Sequence, residues 1–276
     1  MSNTDQSGGA RSRLGGREIL LRILVPVGMF ALTILVWQLV VDIFDVETFA
    51  LPAPGLVFQS LVEDFHILGP ALLVTLRLTF SALALAIIGG AALAVLMSQS
   101  RWIELALYPY AVILQVTPVV AIAPILLVWV PDTQIALLIL AFVVAFFPIL
   151  TNTAQGLKSV DHNLLDLFQL YGAGRWKRLR LLLAPSALPY FLTGLRIGGG
   201  LALIAAVVAE FAAGSAGRGA GLAFRLFEAQ FRYNAPRAYA ALVLLSLTGI
   251  AIFAATSLIS YLALRRWHES AAPRET

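Results

Sequence analysis

The chain has 276 residues, 60% of them hydrophobic and only 12% charged, with a mean hydropathy of +0.88, where soluble domains run at about half apolar and a quarter charged. That balance identifies an integral membrane protein, and the formal charge of +4 is small for a nucleic-acid binder. No cysteine is present, which excludes disulfides, thiolate metal sites and cysteine nucleophiles.

A membrane span needs about twenty largely apolar residues to cross about 30 Å of hydrocarbon. Six segments qualify, near residues 21–43, 72–97, 105–130, 134–156, 187–210 and 238–264, so the fold class is an all-α membrane protein. Residues 1–20 read as a polar N-terminal tail, 21–264 as one membrane domain and 265–276 as a C-terminal tail. The tail start is Ser/Gly/Arg-rich like a signal peptide, but the following apolar run is long and lacks a small-residue cleavage site, so it is expected to remain as an anchor.

The connection 44–71 contains Leu51-Pro52-Ala53-Pro54-Gly55, a stiff extended entry because each proline fixes its own φ and disfavours helix in the residue before it. A short amphipathic helix over residues 56–65 is expected to follow. The third span contains Pro109, Pro118 and Pro124 and the fourth Pro148. Such prolines free backbone groups that a cavity or a neighbour must satisfy, so they fit either kinked helices around a pathway or ordinary packing. Gln115 and Thr117, just before Pro118, either line a solute path or bond across helices. Gly89-Gly90 and Gly198-Gly199-Gly200 read as sites of close helix approach.

The connection 157–186 is the informative one. Leu164, Leu165, Leu167, Phe168, Leu170 and Tyr171 recur at helical spacing, Gly172-Ala173-Gly174 interrupts, and Trp176, Leu179, Leu182 and Leu183 resume. The pattern predicts helix, glycine break, helix. Arg175, Lys177, Arg178 and Arg180 suit lipid headgroups, but headgroup contact does not explain the break.

In the fifth span Arg196 lies about 12 Å from the inner end at 1.5 Å per residue, deep enough to line a pathway and near enough to snorkel. Glu210 ends that span and is a candidate contact for an external binding protein, a partner helix, or a plain boundary carboxylate. The glycine-rich run 214–221 is no phosphate loop, because no strand precedes it and the Gly-Lys-Ser/Thr end is missing. His66, His162 and His268 stand in separate segments, with no zinc or serine-nucleophile motif around them.

Short cytoplasmic loops retain Lys and Arg. With the N-terminus inside, Arg11, Arg13, Arg17, Arg22, Arg101, Lys158, Arg175, Lys177, Arg178, Arg180, Arg265, Arg266 and Arg274 all face the cytoplasm, and 42–70 carries acids without Lys or Arg. The loop 211–237, with Arg218, Arg225, Arg232 and Arg237 against Glu228, runs the other way. Both termini are therefore expected in the cytoplasm.

Asp166-Leu167-Phe168, three residues, Gly172, nine residues and Leu182-Leu183-Ala184-Pro185 resemble the EAA loop of ATP-binding-cassette importer permeases. Asp166 replaces the Glu, Leu167 and Phe168 the two alanines, Leu182 the Ile and Ala184 the Leu. Leu51 to Pro54, Pro118 to Ile125, Asn152 to Asp161, Ala187 to Arg196 and Val207 to Glu210 are similar in order and spacing to the nitrate, sulfonate and taurine group. The resemblance covers roughly residues 50–264.

It implies a type I importer permease in a bacterial plasma membrane: a homodimer with two ATPase subunits docked on the inner loops and a periplasmic or lipid-anchored binding protein outside. This chain would bind no cofactor or metal, ATP sitting on the partner. Asp166, Leu170, Gly172, Ala173, Arg175, Trp176 and Pro185 would then couple to the ATPase, and Gln115, Thr117, Pro118 and Arg196 would be candidates for the pathway. Nitrate, sulfonates or taurine are the implied solutes, with pyrimidine vitamin precursors and riboflavin carried by related permeases. An autonomous secondary transporter or channel calls for internal repeats and mid-membrane ionisable residues. No repeat is visible, and Arg196 is the one charge noted at depth. A membrane enzyme needs convergent catalytic residues, which the sequence does not offer.

Overall fold

The computed structural model describes residues 16–214 and 219–265. The reading of both outermost tails, of His268 and of residues 215–218 lies outside the described residues. Eleven helices follow in order among those described: α1 Gly16–Ile43, α2 Pro54–Glu63, α3 Phe65–Ser98, α4 Arg101–Val116, α5 Val119–Trp129, α6 Thr133–Lys158, α7 His162–Leu170, α8 Arg175–Arg178, α9 Ala184–Ala213, α10 Leu222–Phe231 and α11 Ala235–Leu264. α2 is the expected short helix after the proline entry, begun by Pro54 in its first turn, where a missing N–H costs nothing. α3 starts at Phe65 rather than near residue 72, because Pro70 is absorbed early in the helix.

Five helical runs are long and apolar enough to cross a membrane: α1, α3, α6, α8 continued into α9, and α11. The expected third span is different. It is two helices, α4 and α5, bent by 99°. Thr117 adopts extended backbone with ψ 124° and Pro118 follows with ψ 114°, the outcome of a proline that cannot donate and pushes its predecessor out of the helical region. Pro109, Pro124 and Pro148 stay inside helices. The helix is therefore broken at Pro118, while Pro109, Pro124 and Pro148 kink at most.

α3, α6 and α9 form the centre, sharing a core of Leu78, Ala82, Leu137, Ala141, Ala205 and Ala209. α6 and α9 approach closely because glycines stand in the seam. A Cβ on Gly194 would come 2.7 Å from the Pro148 carbonyl, and one on Gly156 2.8 Å from Ala187 Cα. Gly90, Gly198 and Gly199 also sit in tight interfaces, whereas Gly200 borders open space. Without a hydrophobic drive between helices in lipid, this backbone proximity and the dispersion contacts it permits hold the bundle.

α11 packs on α9 through Ile252 and Thr256 at Gly199. α10 packs on α11, with Leu222 buried beside Leu68, Ala240 and Ala241. α1 touches the rest chiefly at one end, where the Trp37 and Tyr239 rings lie 6.1 Å apart; most of its other described apolar side chains are exposed, as lipid contact allows. One end of the bundle thus carries α2, α10 and the start of α6. The opposite end carries α7, α8 and the end of α11.

Candidate functional site

At the α7 end, the chain leaves α6 after Lys158, whose ammonium pairs with Glu104 in the first turn of α4. Asp161 caps α7, its carboxylate accepting from the Asn163 N–H at 2.8 Å, which satisfies one of the unpaired donors of a helix start. α7 closes on Gly172 at φ +67°. The Ala173 N–H donates to the Phe168 carbonyl at 2.9 Å and the Gly172 N–H to that of Gln169 at 3.0 Å, the paired bonds of a Schellman stop. A Cβ on Gly172 would meet nothing within 4 Å. Within this chain the space around the turn is free, and it is the left-handed backbone that favours glycine there.

No residue of α7 is buried. Leu170 is 85% exposed, Tyr171 83% and Trp176 73%; Asp166, Arg175 and Lys177 are also exposed. An apolar ridge ringed by an acid and two bases stands clear of the bundle.

The second half differs from the expected separate helix. After α8 a π-helical turn, Leu179–Leu183, leads directly into α9, so Arg175 to Ala213 is one helical run of 39 residues. The Ala184 N–H reaches back five residues to the Leu179 carbonyl. Pro185, a candidate coupling residue, is inside this run. It has no N–H to continue the regular ladder, and the π turn absorbs the mismatch just before it. Leu179 is buried with Met97, Phe147 and Leu157, Leu183 packs against that cluster, and Leu182 is buried too. α8 is therefore the rigid end of the fifth span, and α7 hangs from it through Gly172 and Gly174.

The membrane candidates do not come together. Gln115 lines a cavity of about 240 Å³ with Phe147, Pro148 and Leu201, where α4, α5, α6 and α9 meet. The Thr117 hydroxyl donates to the Ile113 carbonyl at 2.6 Å and is spent within its own helix. Pro118 is exposed at the break. Arg196 is exposed on α9 with its guanidinium 5.9 Å from the centre of the Phe253 ring on α11, away from the Gln115 cavity.

Glu210 is placed differently from the expected surface carboxylate. It is 3% exposed and accepts from Thr75 Oγ1 at 2.8 Å and from the Ala223 N–H at 3.0 Å. The Thr75 oxygen in turn accepts from the Leu222 N–H at 2.8 Å. The carboxylate fills the place of a side chain at Gly221, where a Cβ would clash with both of its oxygens. It caps α10, at the end where a helix dipole favours negative charge. Its contacts are inside the chain, because burial leaves a carboxylate no option but internal donors.

Other residues went unnoticed in the sequence. Asp64 accepts from Arg237 Nη2 and from Ser60 Oγ, each at 2.6 Å, tying the α2–α3 corner to α11. The Arg237 hydrogen bond holds the Asp64 carboxyl below the usual range against some desolvation. The Arg225 hydrogen bond does the same for Glu228 on α10. Arg77 in α3 lines a cavity of about 540 Å³. It was legible as a lone charge within an apolar run and was passed over.

The profile of the family described as "binding-protein-dependent transport system inner membrane component" matches residues 82–270. The formylaminopyrimidine transport permease protein ThiX of Halalkalibacterium halodurans is 34% identical over 233 residues, 84% of this chain and 91% of that one. The riboflavin transport system permease protein RibX of Chloroflexus aurantiacus is 33% identical over 250 residues, covering 89% and 90%. The putative aliphatic sulfonates transport permease protein SsuC of Bacillus subtilis is 26% identical, covering 79% of each. Among solved structures, an amino acid ABC transporter crystallised with histidines matches with a TM-score of 0.61 at 19% identity, covering 76% of this chain and 98% of that one; at that identity the likeness is one of fold.

Proposed function

The chain belongs to the family of binding-protein-dependent transport system inner membrane components and is an importer permease subunit, and on that premise we propose that two copies form one pathway driven by two separate ATPase subunits. Residues 157–186 are the docking lever. The observation that carries this reading is the pairing of an exposed apolar helix, α7, with a helix, α8, that is continuous with the fifth span.

Trp176 and Arg175 belong to the residue types that supply most binding energy at interfaces, while Leu170 and Ala173 border the glycine turn. Asp166 offers a carboxylate to a basic partner. The α7 hinge lets the docked helix follow the ATPase, and α8 passes the displacement straight into α9. Because α9 shares its closest seam with α6, a tilt there changes the wall around Gln115 and Pro118. Alternating access is then an equilibrium between two packings biased by nucleotide on the partner. This chain needs no cofactor of its own for that work. Residues 21–264 form the membrane unit, with tails 1–20 and 265–276 in the cytoplasm and the α2/α10 end facing the binding protein.

For the solute we favour a small heterocycle of the vitamin or vitamin-precursor type. The relatives named for formylaminopyrimidine and riboflavin share about a third of their residues with this chain, more than the sulfonate relative does. The lining of the Gln115 cavity, one amide among apolar side chains, suits such a solute better than a bare anion. The test is reconstitution with the partner ATPase and binding protein. Uptake that needs both, together with ATP, and prefers a pyrimidine or flavin over taurine and nitrate supports the reading. Uptake by the chain alone overturns it in favour of an autonomous transporter.

A further inference from the structure

Arg77 stands at the top of a groove between α3 and α6 that the transport reading does not use. Its cavity, about 540 Å³, is also lined by Ser81, Gln134 and Leu138. A second cavity of about 320 Å³ shares Leu138 and continues past Leu85, Ile88, Gly89 and Phe142. On α3 the lining positions 74, 77, 78, 81, 85, 88 and 89 recur every three or four residues. They make one stripe, facing one stripe of α6. The two cavities meet at Leu138 and line up along α3 as a polar head and an apolar tail.

From Arg77 to Gly89 the groove runs about 18 Å along the helix. One leaflet of hydrocarbon is about half of the roughly 30 Å core. The dimensions are those of one acyl chain lying under its own headgroup. At Gly89 a Cβ would already be in van der Waals contact with the Phe146 and Phe142 rings, at 3.5 and 3.6 Å, so a longer side chain would extend into the groove.

The head of the groove carries charge without a counterion. Among the described residues, Arg77 has no carboxylate within salt-bridge distance, and Arg77 and Ser81 make no side-chain hydrogen bond to another residue. Gln134 donates one N–H to the Gly219 carbonyl at 3.3 Å and keeps another. Arg77 is exposed beside the start of α6, placing its cation within reach of lipid headgroups. A phosphate accepts from a guanidinium in charge-assisted bonds.

We propose that this groove is a binding site for one phospholipid, with the phosphate on Arg77, Ser81 and Gln134 and an acyl chain against Leu85, Ile88, Gly89 and Phe142. The occupant presses α3 against α6 at the end of the bundle where Thr75 and Glu210 hold α10.

Native mass spectrometry of the full chain, delipidated in detergent and titrated with phosphatidylglycerol, phosphatidylcholine or diacylglycerol, tests this. Both phospholipids bind, with one bound per chain, and diacylglycerol, which lacks phosphate, binds about tenfold more weakly. Arg77→Ala lowers both phospholipids to the diacylglycerol level, Arg77→Lys retains most of their binding, and Arg196→Ala changes nothing. Gly89→Leu lowers all three lipids by filling the tail groove. Arg77→Ala and Gly89→Leu chains that elute as wild type on gel filtration but bind phospholipid equally well overturn the site. So does an Ile88→Cys chain that cross-links to a second copy of itself in the membrane, since the groove is then a protein interface.

Discussion

Thr75 and Glu210, 135 residues apart in sequence, share a hydrogen bond of 2.8 Å inside the bundle. Through it the α3 hydroxyl and the α9 carboxylate together hold the first two N–H groups of α10. A helix that lies across one end of the spans is thereby locked to the span that α8 extends at the other end.

Breaking that lock loosens α10 first. Glu210→Ala leaves the Ala223 N–H and the Thr75 hydroxyl unsatisfied in a buried place, a loss of about 1–3 kcal/mol. Hydrogen exchange is expected to rise over residues 222–231 ahead of the spans. Glu210→Gln, which keeps an acceptor oxygen, loses less. Equal protection of α10 in all three chains would exclude the cap.

At Gly172 backbone and bulk are separable. The position has φ +67° and open space, so Gly172→Leu and Gly172→Ala should cost about the same, of order 1 kcal/mol, and Gly172→Asn distinctly less. Solute-stimulated ATP hydrolysis in the assembled importer is expected to fall in that same order while the chain remains inserted. A graded loss that tracks side-chain volume instead would show that the docked partner crowds this turn.

Arg175→Glu with Trp176→Ala removes an exposed cation and an exposed ring from α8. Association with the ATPase is expected to weaken by about 30-fold or more, the effect of losing hot-spot contacts of about 2 kcal/mol. Binding of the detergent-solubilised pair, followed by fluorescence titration, measures it. Unchanged affinity returns both residues to the lipid headgroups.

Asp64 gives a pH signature outside the membrane segments. Its carboxyl is held below the usual range by the Arg237 hydrogen bond. The contribution is therefore fully present above the unfolded value, about pH 4, and is lost as pH falls through the lower folded value. Asp64→Asn is expected to unfold earlier by about 1 kcal/mol at pH 7 and to converge with wild type only once pH has fallen below the lowered folded value. Parallel curves across that range would mean the pair contributes nothing.

Much of this was legible because lipid imposes simple demands. Twenty apolar residues must cross, and the runs that became α1, α3, α6, α9 and α11 are long and uninterrupted. The α7 stop was legible through Gly172, since glycine at a helix end has a known use. Pro118 was visible, but its effect was not: prolines at 109, 124 and 148 stay within helices, and only the neighbours at each site decide which one breaks. Glu210 was misplaced because its donors come from Thr75 and Ala223, distant or across a turn, and sequence carries no record of such partners. Pro185 was visible as part of the EAA-like pattern, but not its place inside a continuous helical run. A π turn upstream absorbs the mismatch.

The central claim is that α7 and α8 are gripped by an ATPase rather than resting on the membrane. A photo-crosslinking amino acid at Leu170, 85% exposed at the tip of α7, tests it in native membranes containing the whole importer. The account predicts that irradiation joins this chain to the ATPase subunit, and that the yield changes with nucleotide. Adducts with lipid alone, with the ATPase present and active, would contradict it.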